Sequence, residues 1–141
     1  MLSDVDRRRH ARQILLPELG FAGQERLGAS KPAWHSEFDP RSRAVAADYL
    51  ARAGLRCEPL ESLSERQPLA AASEPELAAD EVAPLLVRRA DVERWAGEPA
   101  LEDCAAWLLG ALSAVEAIKQ AIGAGEPSSL AALGSSWREQ R

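Results

Sequence analysis

The sequence predicts an α/β chain in which short strands are set among longer helices, and three observations carry that prediction. Apolar residues recur at steps of three and four through Cys104, Leu108, Ala111, Val115, Ile118 and Ile122, the spacing of one helix face. Asp39-Pro40 places a capping side chain and a φ-locked proline at the start of another helix, which runs to Gly54. Short runs at 32–38, 55–61 and 82–87, bounded by Gly, Pro or Asp, read as strands.

Length and composition bound the function. A chain of 141 residues suits one domain, with a single core. Only 5% of residues are aromatic, so each of the four tryptophans weighs heavily in what can be buried. A net charge of -5 argues against nucleic acid or an anionic membrane as partner, because both need a positive field. Cys57 and Cys104 make neither a disulfide framework nor a zinc quartet, and no metal site is expected. No apolar run is long enough to span a bilayer, and Met1-Leu2-Ser3-Asp4 leads straight into charge, so a cytoplasmic location is expected.

Taken in order, Ser3 with Asp6 forms a capping-box-like start to a first helix over 4–13. Its outer face carries Arg7, Arg8, Arg9, His10 and Arg12, which on residue type alone is a solvated basic face. Pro17 and Gly20 break the chain, and a second short helix spans 21–27. His35 falls mid-strand in the run 32–38, with no second ligand at metal spacing. After the helix from Pro40 to Ala53 comes the strand 55–61, where Pro59 suggests an edge or a bulge. Ser73-Glu74-Pro75-Glu76 opens a short helix to about residue 81. Glu98-Pro99 opens the last one, with Cys104 to Ile122 as its buried stripe and Ser113, Glu116 and Gln120 on its polar side. Gly110, Ala114 and Ala117 are small enough to let another helix approach closely. Cys104, inside this pattern, is expected to be a buried packing residue.

Three blocks resemble one family. Arg9-His10-Ala11-Arg12-Gln13-Ile14-Leu15-Leu16-Pro17, followed by Gly23-Gln24-Glu25-Arg26-Leu27, is similar to the opening of the ThiF/MoeB/HesA adenylating enzymes, relatives of the ubiquitin-activating enzymes. Tyr49-Leu50-Ala51-Arg52-Ala53-Gly54 resembles the end of that family's first Rossmann helix. The run 109–119, ending Gly123-Ala124-Gly125-Glu126-Pro127, resembles its late helix, which packs at the subunit interface. The resemblance implies a truncated Rossmann-like, three-layer fold: an N-terminal helical arm over 1–30, a reduced domain over 31–127 and a hairpin remnant or tail over 128–141.

What the family uses for catalysis does not match. Where it has a glycine-rich phosphate loop, this chain has Asp39-Pro40-Arg41-Ser42-Arg43. Asp39 as helix cap occupies the N–H donors a phosphate would use and adds negative charge. The two lysines, Lys31 and Lys119, are not placed like the family's ATP-contacting lysine, and its zinc-binding Cys-x-x-Cys pairs are not visible. The resemblance therefore implies a non-catalytic subunit without a cofactor of its own. It would form a homodimer, or a heterodimer with an active adenylating enzyme, and Arg12 would reach the partner's ATP in trans, where a guanidinium pairs bidentately with phosphate oxygens. A small scaffold holding a ubiquitin-like or other carrier protein is the alternative. A residual adenylyltransferase binding ATP and magnesium through Arg41, Arg43 and the strand-closing Glu61 ranks third.

Overall fold

The computed structural model describes residues 2–57, 80–84, 86–125 and 129. Ser3 caps the first helix as expected: its Oγ accepts from the Asp6 amide (3.2 Å), and the Asp6 carboxylate accepts from the Ser3 amide (3.3 Å). The helix is not continuous to residue 13. It divides into α1 (Asp4–Arg9) and α2 (Ala11–Ile14) at His10, which leaves helical geometry with φ -105° and ψ 17°. His10 is 5% exposed and its ring lies against Gly54, so it does not belong to the outer basic face.

Helix α3 (Gly20–Ala29) buries Gly23, Gln24 and Leu27, and Gly23 lets it lie close to Ile122. Two strands follow the expected places but are much shorter. β1 (Lys31–Pro32) pairs in parallel with β2 (Glu81–Val82), Lys31 opposite Glu81 and Pro32 opposite Val82. The chain leaves β1 after Pro32 because Phe38 turns back to the His35 carbonyl (3.2 Å) and the Asp39 amide donates to Val87 (2.7 Å). His35 is thus in a turn, where its Nδ1 accepts from the Glu37 amide. Residues 55–57 are not a strand; Arg56 makes one backbone bond, to Ser30. The remainder of that run and the helix expected from Ser73 lie outside the described residues, as does the C-terminal tail apart from residue 129. The architecture is thus mostly helical, and α/β only in the coarse sense.

Helix α4 (Pro40–Ala53) starts at the Asp39 cap and ends at Gly54, whose φ of +106° is the left-handed turn that glycine allows. Helix α5 (Arg89–Ala96) opens with Asp91 accepting from the Arg88 amide. A 3₁₀ turn (Pro99–Leu101) leads into α6 (Glu102–Ile122), around which the rest is packed: α3, α4 and α5 all lie against it. One core group joins Leu27, Leu50, Leu55, Val82 and Ala114; a second joins Phe38, Val87, Val92, Ala106 and Leu109.

The buried face of α6 is not the expected one. Ala105, Ala106, Leu109, Gly110, Ser113, Ala114, Glu116 and Ala117 face inward. Cys104, Leu108 and Val115 are exposed, and only Ile118 and Ile122 of the expected stripe join the core. The reason is size. A side chain at Gly110 would run into the Ser42 carbonyl and Val45 of α4, so this side lets the two helix backbones approach closely. Ser113 and Glu116, expected on the polar side, are buried, and Cys104 is a surface thiol. Among the described residues no helix is long and apolar enough to cross a membrane.

Candidate functional site

Arg12 stands on α2, exposed, and makes no hydrogen bond or ion pair among the described residues. The chain just beyond it presents Leu15 (81% exposed), Leu16 and Phe21 to solvent. An unpaired guanidinium beside uncovered apolar side chains is a combination a partner surface can use.

The other two arginines named by the sequence have work within the fold. Arg41 Nη1 donates to Asp103 (2.9 Å) and Nη2 to Glu102 (3.2 Å), with Asp39 at 3.8 Å, and these carboxylates raise its pKa. Arg43 lies over the Trp34 ring, 5.2 Å from its centroid, and its Nε is buried without an acceptor. Burial lowers the Arg43 pKa. At the start of α4 the Asp39 carboxylate is 1% exposed and accepts from the Ser42 amide (3.0 Å) and hydroxyl (3.1 Å). The first-turn donor that would face a phosphate is therefore already satisfied from within. Glu61 lies outside the described residues. Arg12 is not brought together with this group: it sits on the arm, and they sit where α4 meets α6.

Asp91 serves α5, accepting from the Arg88 amide (2.9 Å) and from Arg94 (2.7 Å). Among the described residues no three His, Cys, Asp or Glu side chains gather as a metal site would need.

Sequence reasoning missed a polar cleft of about 470 Å³ between the arm and the end of α4, lined by Asp6, His10, Gln24, Gly54 and Arg56 among others. Gln24, 1% exposed, donates through Nε2 to the Ala53 carbonyl (2.9 Å), satisfying one of the open carbonyls at the end of α4. Its Oε1 is buried without a partner. His10 Nδ1 lies 3.0 Å from Gln13 Oε1, and the Cε1–Nε2 edge of the ring faces Gly54. The cluster docks the arm on α4. The signal available in the sequence was Gly54, legible as a helix end but not as the floor on which His10 and Gln24 rest.

On the outer side, Leu101 of the 3₁₀ turn and Trp107, Leu108 and Val115 of α6 are 38–53% exposed, and Tyr49 of α4 meets Trp107 edge to face at 6.1 Å. They form an uncharged strip beside the arginine-rich features rather than part of them.

Comparison with family models, with curated proteins and with solved structures gives no match to this chain.

Proposed function

We propose that the protein is a non-catalytic, ThiF/MoeB-like subunit that dimerises and lends Arg12 to the ATP site of an active adenylating partner. The observation that carries this reading is the contrast among the arginines. Arg12 is exposed and without a partner among the described residues, whereas Arg41 and Arg43 are held by carboxylates and by Trp34. An arginine kept free at the surface can stabilise charge on a phosphate bound by another chain, since its planar fork pairs bidentately and never deprotonates. The reduced Rossmann-like ancestry implied by the resemblance belongs to the same reading. The closed cap at Asp39 supports placing the nucleotide on the partner rather than on this chain.

The test is to mix the protein with a full-length adenylating enzyme encoded nearby and follow ATP–pyrophosphate exchange. The expected result is a stimulation of roughly tenfold or more, lost in Arg12→Ala and not regained in Arg12→Lys. No stimulation, or equal stimulation by Arg12→Ala, overturns the reading. A stable complex with a ubiquitin-like carrier, unaffected by Arg12→Ala, supports the scaffold alternative instead.

A further inference from the structure

Two helices end at the polar cleft beside the arm. Helix α3 brings Gly28 and Ala29 to its wall, and Gly54 closes α4 next to them: a Cβ at Gly28 would stand 4.0 Å from the Gly54 carbonyl oxygen. Helix C-termini carry open carbonyls and the negative end of the helix dipole. The Gly28 carbonyl finds no donor four residues on, because that residue is Pro32. Among the described residues neither it nor the Gly54 carbonyl accepts a hydrogen bond. Asp6 and Glu25 add carboxylates to the lining, and the capping box at Ser3 uses only Oδ2 of Asp6. Gln24, 1% exposed, lines the cleft with its Nε2 committed to the Ala53 carbonyl and its Oε1 buried without a donor. A buried acceptor left unpaired is costly. Arg56 shows which charge this place draws, since its Nη2 donates to the Ala29 carbonyl and lies 3.6 Å from Asp80. The groups left open, Oε1 of Gln24, Oδ1 of Asp6 and the carbonyls of Gly28 and Gly54, are all acceptors.

We propose that this cleft binds a small alkylammonium, a primary amine in its charged form. An ammonium group offers three donors and no acceptor, the complement of what the lining leaves open. A bare metal ion fits less well. The volume of about 470 Å³ equals roughly fifteen waters at about 30 Å³ each, far more than one ion fills. Among the described residues no three His, Cys, Asp or Glu side chains gather to hold one. Leu2 and Ala29 supply apolar wall for a short alkyl chain. The same chemistry is carried by a free amine and by the lysine side chain of a peptide. The site stands apart from the Arg12 reading, because Arg12 does not line the cleft.

The test is an NMR titration of the isotope-labelled full chain at constant ionic strength and near-neutral pH, following the side-chain amide of Gln24 and the backbone amide of Gly54. The ligands are n-butylammonium, 1,4-diaminobutane, Nα-acetyl-lysine methylamide, tetramethylammonium and calcium. n-Butylammonium is expected to shift both signals with a Kd on the order of a millimolar, as suits so small a ligand. Tetramethylammonium, equally charged but without an N–H, is expected to bind about tenfold more weakly or not at all. Tighter binding of 1,4-diaminobutane than of the lysine derivative supports a free amine as the ligand, and the reverse order supports a lysine side chain. Gln24→Met is expected to weaken n-butylammonium about tenfold. Asp6→Asn is expected to weaken it about threefold and Arg56→Gln, which removes a competing cation, to tighten it about threefold. These two surface variants decide the matter where Gln24→Met changes the circular-dichroism spectrum. No shift with any primary amine, equal binding of tetramethylammonium or calcium, or weaker binding in Arg56→Gln overturns the site.

Discussion

The two sides of α6 differ in size: apart from Leu109 and Glu116 the inner one is alanine, glycine and serine, whereas the outer one presents leucine, valine and tryptophan. Hydrophobicity alone would put the larger side chains inside. What puts them outside is the approach of α4, which passes so close at Gly110 that any side chain there meets the Ser42 carbonyl. Close backbone packing gains many weak contacts per unit length, and only small residues permit it. The same division runs through the arm. His10 turns inward onto Gly54, and Arg12, two residues on, stays in water. Side chains that build the fold and side chains free for a partner therefore alternate within single helices rather than lying in separate segments.

The sharpest way to break this comparison is at the adjacent pair Leu108 and Leu109. Leu109 is 0% exposed in the second core group, and Leu109→Ala is expected to destabilise the monomer by about 3 kcal/mol. Leu108 is 38% exposed, and Leu108→Ala is expected to cost under about 1 kcal/mol when urea unfolding is followed at high dilution. Equal losses would mean that both faces of α6 are core.

The two cysteines give the next largest contrast. Cys104 is on the outer strip and exposed, whereas half-burial pushes the Cys57 thiol up to about 11. Near pH 8 such a thiol is ionised at about one part in a thousand, so Cys57 should be alkylated about two orders of magnitude more slowly than an ordinary thiol. Cys104 is expected to react first, followed by mass spectrometry. Equal rates for the two thiols would mean that burial does not shield Cys57.

Glycine substitutions separate a special backbone from a crowded one. Gly54 and Gly97 both have positive φ, +106° and +72°. A methyl group at Gly54 would lie 2.5 Å from Gln24 Nε2 and 3.3 Å from the His10 ring; at Gly97 it would meet nothing within 4 Å. Gly54→Ala is therefore expected to lower stability by about 2 kcal/mol and Gly97→Ala by about 1 kcal/mol, read from thermal melts. If the two cost the same, the docking of His10 and Gln24 on Gly54 contributes nothing.

Much of this was legible where local chemistry decides. Ser3 with Asp6, Asp39 with Pro40, and Gly54 each mark a helix end through one or two residues, and the structure places those ends there. The inner face of α6 was legible in part: Gly110, Ala114 and Ala117, expected to admit another helix, do lie there, but the burial of Leu109, Ser113 and Glu116 was not, because the repeat through Cys104 and Val115 is the more regular apolar stripe. Which stripe is buried depends on the distance to α4, a tertiary fact. The strands were over-extended because short apolar runs such as 32–38 do not record that Asp39 must turn back to Val87. In the site, the exposed character of Arg12 could be read from the sequence, but its proposed role came only from resemblance. The burial of His10 left no trace in the pattern, since a lone histidine among arginines reads as surface.

The smallest expected effect lies between Glu37 and Arg88, which join the turn before α4 to the start of α5 at 2.8 Å. The hydrogen bond from Arg88 lowers the Glu37 pKa, with the positive charge of that guanidinium acting in the same direction. A carboxylate whose folded pKa is depressed contributes stability that is complete above the unfolded value, about 4.3, and is lost as pH falls through the lower folded value. Wild type should therefore lose more melting temperature between about pH 5 and pH 3 than Glu37→Gln does, and the two should share a slope above about pH 6. Both groups are open to solvent, so the difference should shrink in high salt. A difference that survives high salt would mean that the turn at Glu37 is anchored by more than this pair, and that the second core group reaches further toward the surface than Phe38 and Val87.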